Sequence, residues 1–200
     1  MALANVKGAD LKPGRTPKPV KAAKVPQVKA PLPMVEYDVY EKNSKIAQKL
    51  LDATGIQLRE KNAETWVGNY SPTADFVITD KSGAQWGIER KSFSDCINSI
   101  RDGRVYGQLA QLMVAYPGRA ILLIEDADYI PKALARNPQE KNRLRESVHT
   151  FANEQSMLLP VWRSNSAHHA ARMMAKWAKT AHERETRGRG IRVILDPMVR

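Results

Sequence analysis

The chain has 200 residues, of which 42% are hydrophobic and 26% charged, and its formal net charge is +11. That is enough chain for one domain with a substantial core plus an appendage. A single cysteine, Cys96, excludes an intrachain disulfide framework, and no apolar run reaches the length of a membrane span or a secretory core. The expectation is a protein of a reducing, soluble compartment with no membrane partner.

Residues 1–34 carry Lys7, Lys12, Arg15, Lys18, Lys21, Lys24 and Lys29 against Asp10 alone, and six of the twelve prolines. Such a stretch buries too little apolar surface to offset its ordering entropy, which predicts a disordered, partly polyproline-like extension. Its role is either solubilising or attraction to nucleic-acid phosphates. Residues 35–183 then read as one domain. Val35–Val39 alternates like a strand, and Asn43 or Ser44 caps a helix bearing Ile46, Ala47, Leu50 and Leu51, ended by Gly55. Ile56–Leu58 begins a short strand, and a loop through Trp66 and Tyr70 follows. Asp75–Thr79 and Gln85–Lys91 alternate on either side of Asp80-Lys81-Ser82-Gly83, which is turn chemistry.

Helical sequence extends from Ser94 to Ala115, with a break at Gly103. Ala120–Ile124 reads as a strand buried on both faces. Pro138 opens a helix with Leu144, Val148 and Phe151 at helical spacing. Met157–Trp162 reads as a strand, and a last amphipathic helix carries Ala170, Met173, Met174 and Trp177. Strands alternating with helices predict an α/β fold, a three-layer α/β/α sandwich. The basic tail, 184–200, is left open as an edge strand, a docking segment or a disordered end.

The chemistry concentrates at Glu89-Arg90-Lys91. Strand side chains share a face every second residue, so Glu89 and Lys91 face one way and Arg90 the other. One register of the hairpin sets Asp75 beside them. Two carboxylates and a lysine are what metal-dependent phosphodiester cleavage requires, the acids holding Mg²⁺ (or Mn²⁺) and the lysine orienting or activating water. An acid-x-Lys tripeptide by itself is more often an ion pair on a strand edge. Arg90 reads as a structural ion-pairing residue beneath the sheet. Asp95, three residues after Ser92, is placed either as a helix-start stabiliser or as part of the site. Cys96 reads as a buried structural thiol. The four histidines show no zinc-binding spacing.

The longer run Glu89-Arg90-Lys91-Ser92-Phe93-Ser94-Asp95, continued by Ser99-Ile100-Arg101-Asp102-Gly103-Arg104 and Gln108, closely resembles the nuclease signature of the XPF-type structure-specific endonucleases. The resemblance extends from about Val35 to near Lys179. It implies a restriction-endonuclease-like core with a mixed central sheet. It also implies a Mg²⁺-dependent endonuclease acting on branched, flap or fork DNA in repair, recombination or replication, and a homodimer or a heterodimer with a related chain. On that resemblance Asp75, Glu89, Lys91 and Asp95 are catalytic, and Asp75, Glu89 and Asp38 hold metal. Arg104, Gln108 and Glu41 contact DNA or brace the site.

The family's glycine before the first acid is Ala74 here, and Gly68-Asn69-Tyr70 offers a second alignment with a neutral amide in the acid's place. Tyr37-Asp38-Val39-Tyr40-Glu41 keeps two upstream acids but has Tyr40 where the family has arginine. The family's usual tandem helix-hairpin-helix module does not follow the last helix within this sequence. A non-catalytic DNA-binding scaffold supporting an active partner is the alternative. The expected location is cytoplasmic and nucleoid-associated, or nuclear in a eukaryote.

Overall fold

The computed structural model describes residues 32–38, 41, 44–52, 55–61, 74–125, 130 and 134–183. The N-terminal extension through residue 31, Asn69 with its alternative alignment, and the tail from 184 lie outside them. Among the described residues the order is β1 (Met34–Tyr37), α1 (Lys45–Leu51), β2 (Gln57–Glu60), β3 (Phe76–Thr79), β4 (Gln85–Ser92), α2 (Phe93–Arg101) and α3 (Arg104–Ala115). Then come β5 (Ala120–Glu125), α4 (Pro138–Ser156), β6 (Val161–Ser164) and α5 (Ala167–Glu183).

The strands form one mixed sheet in the order β2-β1-β3-β4-β5-β6, with β3 antiparallel to both neighbours and the remaining pairs parallel. One face carries Phe76, Ile78, Trp86, Ile88, Ile121 and Leu123 against α1 and α5. The other carries Val77, Leu122 and Ile124 against α2, α3 and α4. Helices on both faces make the expected three layers. Each large aliphatic or aromatic side chain removed from water on these faces contributes about 1.5–3 kcal/mol. Strand β5, between β4 and the edge strand β6, is buried along its whole length, as its unbroken apolar run predicts.

Local chemistry sets the boundaries. Ser44, rather than Asn43, caps α1, its hydroxyl accepting the Ala47 N–H at 3.0 Å. Asp80 Oδ1 accepts the Ser82 and Ala84 N–H groups at 2.8 and 2.9 Å, closing the β3–β4 turn, and Gly83 supplies its positive φ of 83°. Gly103, at φ 74°, splits the predicted long helix into α2 and α3. Gly87 lies mid-strand because a Cβ there would overlap the ring of Tyr116.

Three boundaries differ from the sequence reading. β1 ends at Tyr37, leaving Asp38 just past it. Asp75 stands immediately before β3 instead of within it. The strand predicted over Met157–Trp162 begins only at Val161, because α4 runs to Ser156 and Met157–Pro160 make the turn out of it, with Met157 and Leu158 87% and 66% exposed. Apolar composition alone does not distinguish a turn of this kind from a strand.

Candidate active site

Parallel strands β1, β4 and β5 all point their C-terminal ends one way, and antiparallel β3 begins at that same end. Asp38, Asp75, Glu89 and Lys91 are thereby gathered at one edge of the sheet. The β3–β4 register pairs Phe76 with Ile88, which sets Asp75 level with Glu89. Main-chain bonds hold Asp75: its carbonyl accepts the Asp38 N–H at 2.9 Å, and its Oδ2 accepts the Arg90 N–H at 2.6 Å.

Alternation along β4 gives its two sides different environments. Glu89 and Lys91 pair with Leu122 and Ile124 of β5, on the α2/α4 side. Lys91 is 4% exposed and donates to Glu89 Oε1 at 2.8 Å, with Asp95 Oδ2 at 3.3 Å. Burial alone would lower the Lys91 pKa, but the carboxylates of Glu89, Asp95 and Asp75 outweigh it and hold the ammonium above its ordinary value. Lys91 is thus suited to donating hydrogen bonds, and the lowered pKa that would suit a proton-abstracting lysine is not what its surroundings produce.

Asp75 is pushed the opposite way for a carboxylate. Burial raises its pKa well above the ordinary value, and the neighbouring Glu89 and Glu41 add to the effect. The Arg90 N–H and the Lys91 ammonium oppose it. Enclosed carboxylates that repel one another mark a site with too little positive charge.

On the other side of β4, Arg90 donates to Glu41 Oε1 at 3.1 Å and to Glu125 Oε2 at 2.5 Å. Burial lowers the Arg90 pKa, but the two acids outweigh it and the net shift is upward. Glu41 is therefore engaged through one oxygen with Arg90, while its buried Oε2 has no hydrogen-bond partner. The pairing of Arg90 was legible in the motif, but Glu125 was not singled out. Its only sequence signal is an acid closing an otherwise apolar strand.

Asp95 does two things at once. Its N–H is capped by Ser92 Oγ at 3.1 Å, and its carboxylate meets Lys91 and accepts from Arg104 Nη2 at 2.7 Å. Arg104 also donates to Ser99 Oγ at 3.1 Å and keeps half its side chain exposed. Gln108, one turn further along α3, has a buried Oε1 without a partner. Asp38 is 5% exposed and joins the cluster through its main chain. Cys96 is fully buried, its thiol pushed up to about 12, chiefly by burial, which leaves it inert as a nucleophile.

Among the described residues, no group of three or more His, Cys, Asp or Glu side chains is arranged to enclose an ion. A hard divalent cation such as Mg²⁺ does not need an enclosure, since it keeps several waters and takes one or two carboxylates together with substrate phosphate. Asp75 and Glu89 fit that requirement, and the burial and neighbouring carboxylates that together raise Asp75 leave an electrostatic deficit a cation would fill. None of the helices among the described residues is long and apolar enough to cross a membrane.

No curated protein sequence matches the chain. Among solved structures, XPF from Aeropyrum pernix is similar at 21% identity, covering 80% of this chain and 65% of that chain with a TM-score of 0.55. The chain thus spans just under two thirds of that structure's length. XPF from Aeropyrum pernix in complex with DNA is similar at 20% identity, covering 78% and 69%, with a TM-score of 0.51. At these identities the likeness concerns the fold. The family comes from sequence: the ERCC4 domain model matches residues 37–177, from the end of β1 into α5 and across the whole Glu-Arg-Lys site, so the chain belongs to the ERCC4 domain family, the XPF-type nucleases.

Proposed function

We propose that the protein is a Mg²⁺-dependent endodeoxyribonuclease that cuts branched, flap or fork DNA in repair, recombination or replication, with Mn²⁺ able to substitute. One observation carries the reading: Asp75 stands level with Glu89 at the sheet edge, where burial and the Glu89 carboxylate disfavour its charge, with the Lys91 ammonium between Glu89 and Asp95. In this reading Asp75 and Glu89, with Asp38 beside them, hold the ion. Bound there, the cation supplies positive charge to the scissile phosphate and acidifies a water. Lys91 Nζ donates a hydrogen bond that orients the attacking water, and Asp95 keeps Lys91 in place. In the same reading Arg104, half exposed beside Asp95, and Gln108 one turn further along α3 contact the DNA backbone or brace the site, and Glu41 steadies Arg90 beneath the strand. Labelled flap, fork and linear duplexes incubated with Mg²⁺ or EDTA test this. Cutting that persists in EDTA would overturn the metal assignment.

A scaffold that binds DNA without cutting it is the second reading, supported by Ala74 and Tyr40, which stand where the family pattern has glycine and arginine. Tight binding of fork DNA with no cleavage in either Mg²⁺ or Mn²⁺ would select it. Pairing with a second chain belongs to either reading. Met173, Met174 and Trp177 are buried against this chain's own sheet. Met157 and Leu158 are the exposed apolar pair beside β6. Light scattering of Leu158→Asp against the native chain reads their part in pairing.

A further inference from the structure

The sheet face away from Glu89 and Lys91 carries a groove of about 720 Å³ between α1 and α5. Lys49 lines it from α1, and Arg172, Lys176 and Lys179 line it from α5. With His168 these α5 positions recur every three or four residues, which sets them in one stripe along the helix. The opposite side of α5 is core, including Met174 and Trp177, while small Ala171 and Ala175 lie along the groove. The two acids that line it are Asp52, the C-cap of α1, and Glu183, the last residue of α5.

Topology gives the groove a direction. α1 and α5 follow strands that are parallel in the sheet, so both begin at the edge where Asp75 and Glu89 stand and run away from it. The start of α1 is tied to that edge through the Ser44 N–H, which donates to Glu41 O at 2.8 Å. The cations therefore lie between the site and the two acids that end each helix. Lys49, Arg172 and Lys179, lining one cleft, repel one another unless an anion lies between them. The cation row along α5 continues for about two turns, which suits a chain of phosphates better than one anion.

We propose that this groove is a second nucleic-acid contact, holding the sugar-phosphate backbone of the DNA arm that leaves the cleavage site. The proposal rests on the nuclease reading above and gives it a substrate path. Its test uses the full chain carrying Glu89→Gln, in EDTA, so that binding is measured without cutting. Lys49→Gln, Arg172→Gln and Lys179→Gln together should lower affinity for a DNA fork, independently of base sequence. They should also flatten the log–log salt dependence by up to about 2.7, at about 0.9 per lost duplex phosphate contact.

The matched change on α4, Lys141→Gln with Arg143→Gln and Arg145→Gln, should leave the slope as it is. An unchanged slope in the groove variant, or an equal fall in the α4 variant, would overturn the proposal while leaving the nuclease reading standing. A native chain that does not bind DNA at all would overturn both. If the triple variant melts early, exposed Arg172→Gln alone should still reduce the slope by about 0.9, and no reduction would count against the groove.

Discussion

Neighbouring residues of β4 meet opposite electrostatic fates. On one side the Arg90 guanidinium bonds both Glu41 and Glu125, so cation and acids stabilise each other in the interior. On the other side Lys91 also meets acids, yet Asp75 remains strained toward its neutral form. The first side behaves as a structural joint and the second as a receptacle. The difference teaches that a single acidic count for this sheet edge would mislead. What matters is how many cations each group of carboxylates has already been given.

The largest effect should come from emptying the receptacle. Glu89→Gln and Lys91→Ala should each lower the cleavage rate by about 100-fold or more, a loss typical of removing one group that stabilises transition-state charge. Fork binding should change little, and Glu89→Gln should nearly keep the thermal midpoint, whereas Lys91→Ala also leaves Glu89 buried without its cation and should lower it. Asn69→Ala, the control for the alternative alignment, should cut nearly as well as the native chain. Equal loss in that variant would transfer the role of Asp75 to position 69.

Breaking the joint should cost stability instead. Arg90→Ala leaves Glu41 and Glu125 buried without their cation, a loss of about 3 kcal/mol for a pair of this burial. At about 2–4 °C per kcal/mol in a protein of this size, the thermal midpoint should fall by roughly 10 °C. A midpoint within a degree or two of the native value would show that the joint is solvated and dispensable.

Asp75→Asn sharpens the contrast by a smaller amount. The folded-state pKa of Asp75 lies above its unfolded value, so folding favours the protonated acid. The stability this contributes is complete below the unfolded pKa of about 3.9 and is lost as pH rises through the folded value. In EDTA the native chain should therefore lose stability relative to Asp75→Asn as pH climbs from about 4. At neutral pH the variant should melt a few degrees higher. Added Mg²⁺ should narrow the gap by stabilising the native chain alone. Parallel pH–stability curves for the two proteins would refute the account.

The smallest effect should come from deleting residues 1–33. The thermal midpoint should stay within a degree of the full chain, while fork affinity weakens and its salt slope flattens by about 0.9 for each duplex phosphate contact removed. Unfolding on deletion would mean that the segment belongs to the core.

Much of this was legible because local rules acted alone. Pro138 opens α4, Gly103 breaks the helical run, and the turn at Asp80–Gly83 sets the hairpin whose alternation separates Glu89 and Lys91 from Arg90. The uninterrupted apolar run of β5 likewise gave its burial on both faces. What sequence could not supply was register between distant segments. Glu125 becomes a partner of Arg90 only because parallel pairing aligns it with Ser92, and the groove forms only because α1 and α5 return along the same face. The fate of Met157–Pro160 was hidden for a related reason. An apolar run at a helix end packs as a strand or turns outward according to where the preceding helix stops.

The bond that orients Asp75 bears on how this site tolerates mutation. It comes from the main-chain N–H of residue 90. Nineteen of the twenty amino acids carry that donor, and only proline lacks it. Drift at codon 90 can therefore weaken or abolish the ion pairs beneath the strand without turning the first acid away from its neighbours. Heritable variation at this position is free to explore stability while the carboxylate above it keeps its aim, and a lineage could lose the arginine, survive on stability gained elsewhere, and recover it later with Asp75 and its neighbours still in register.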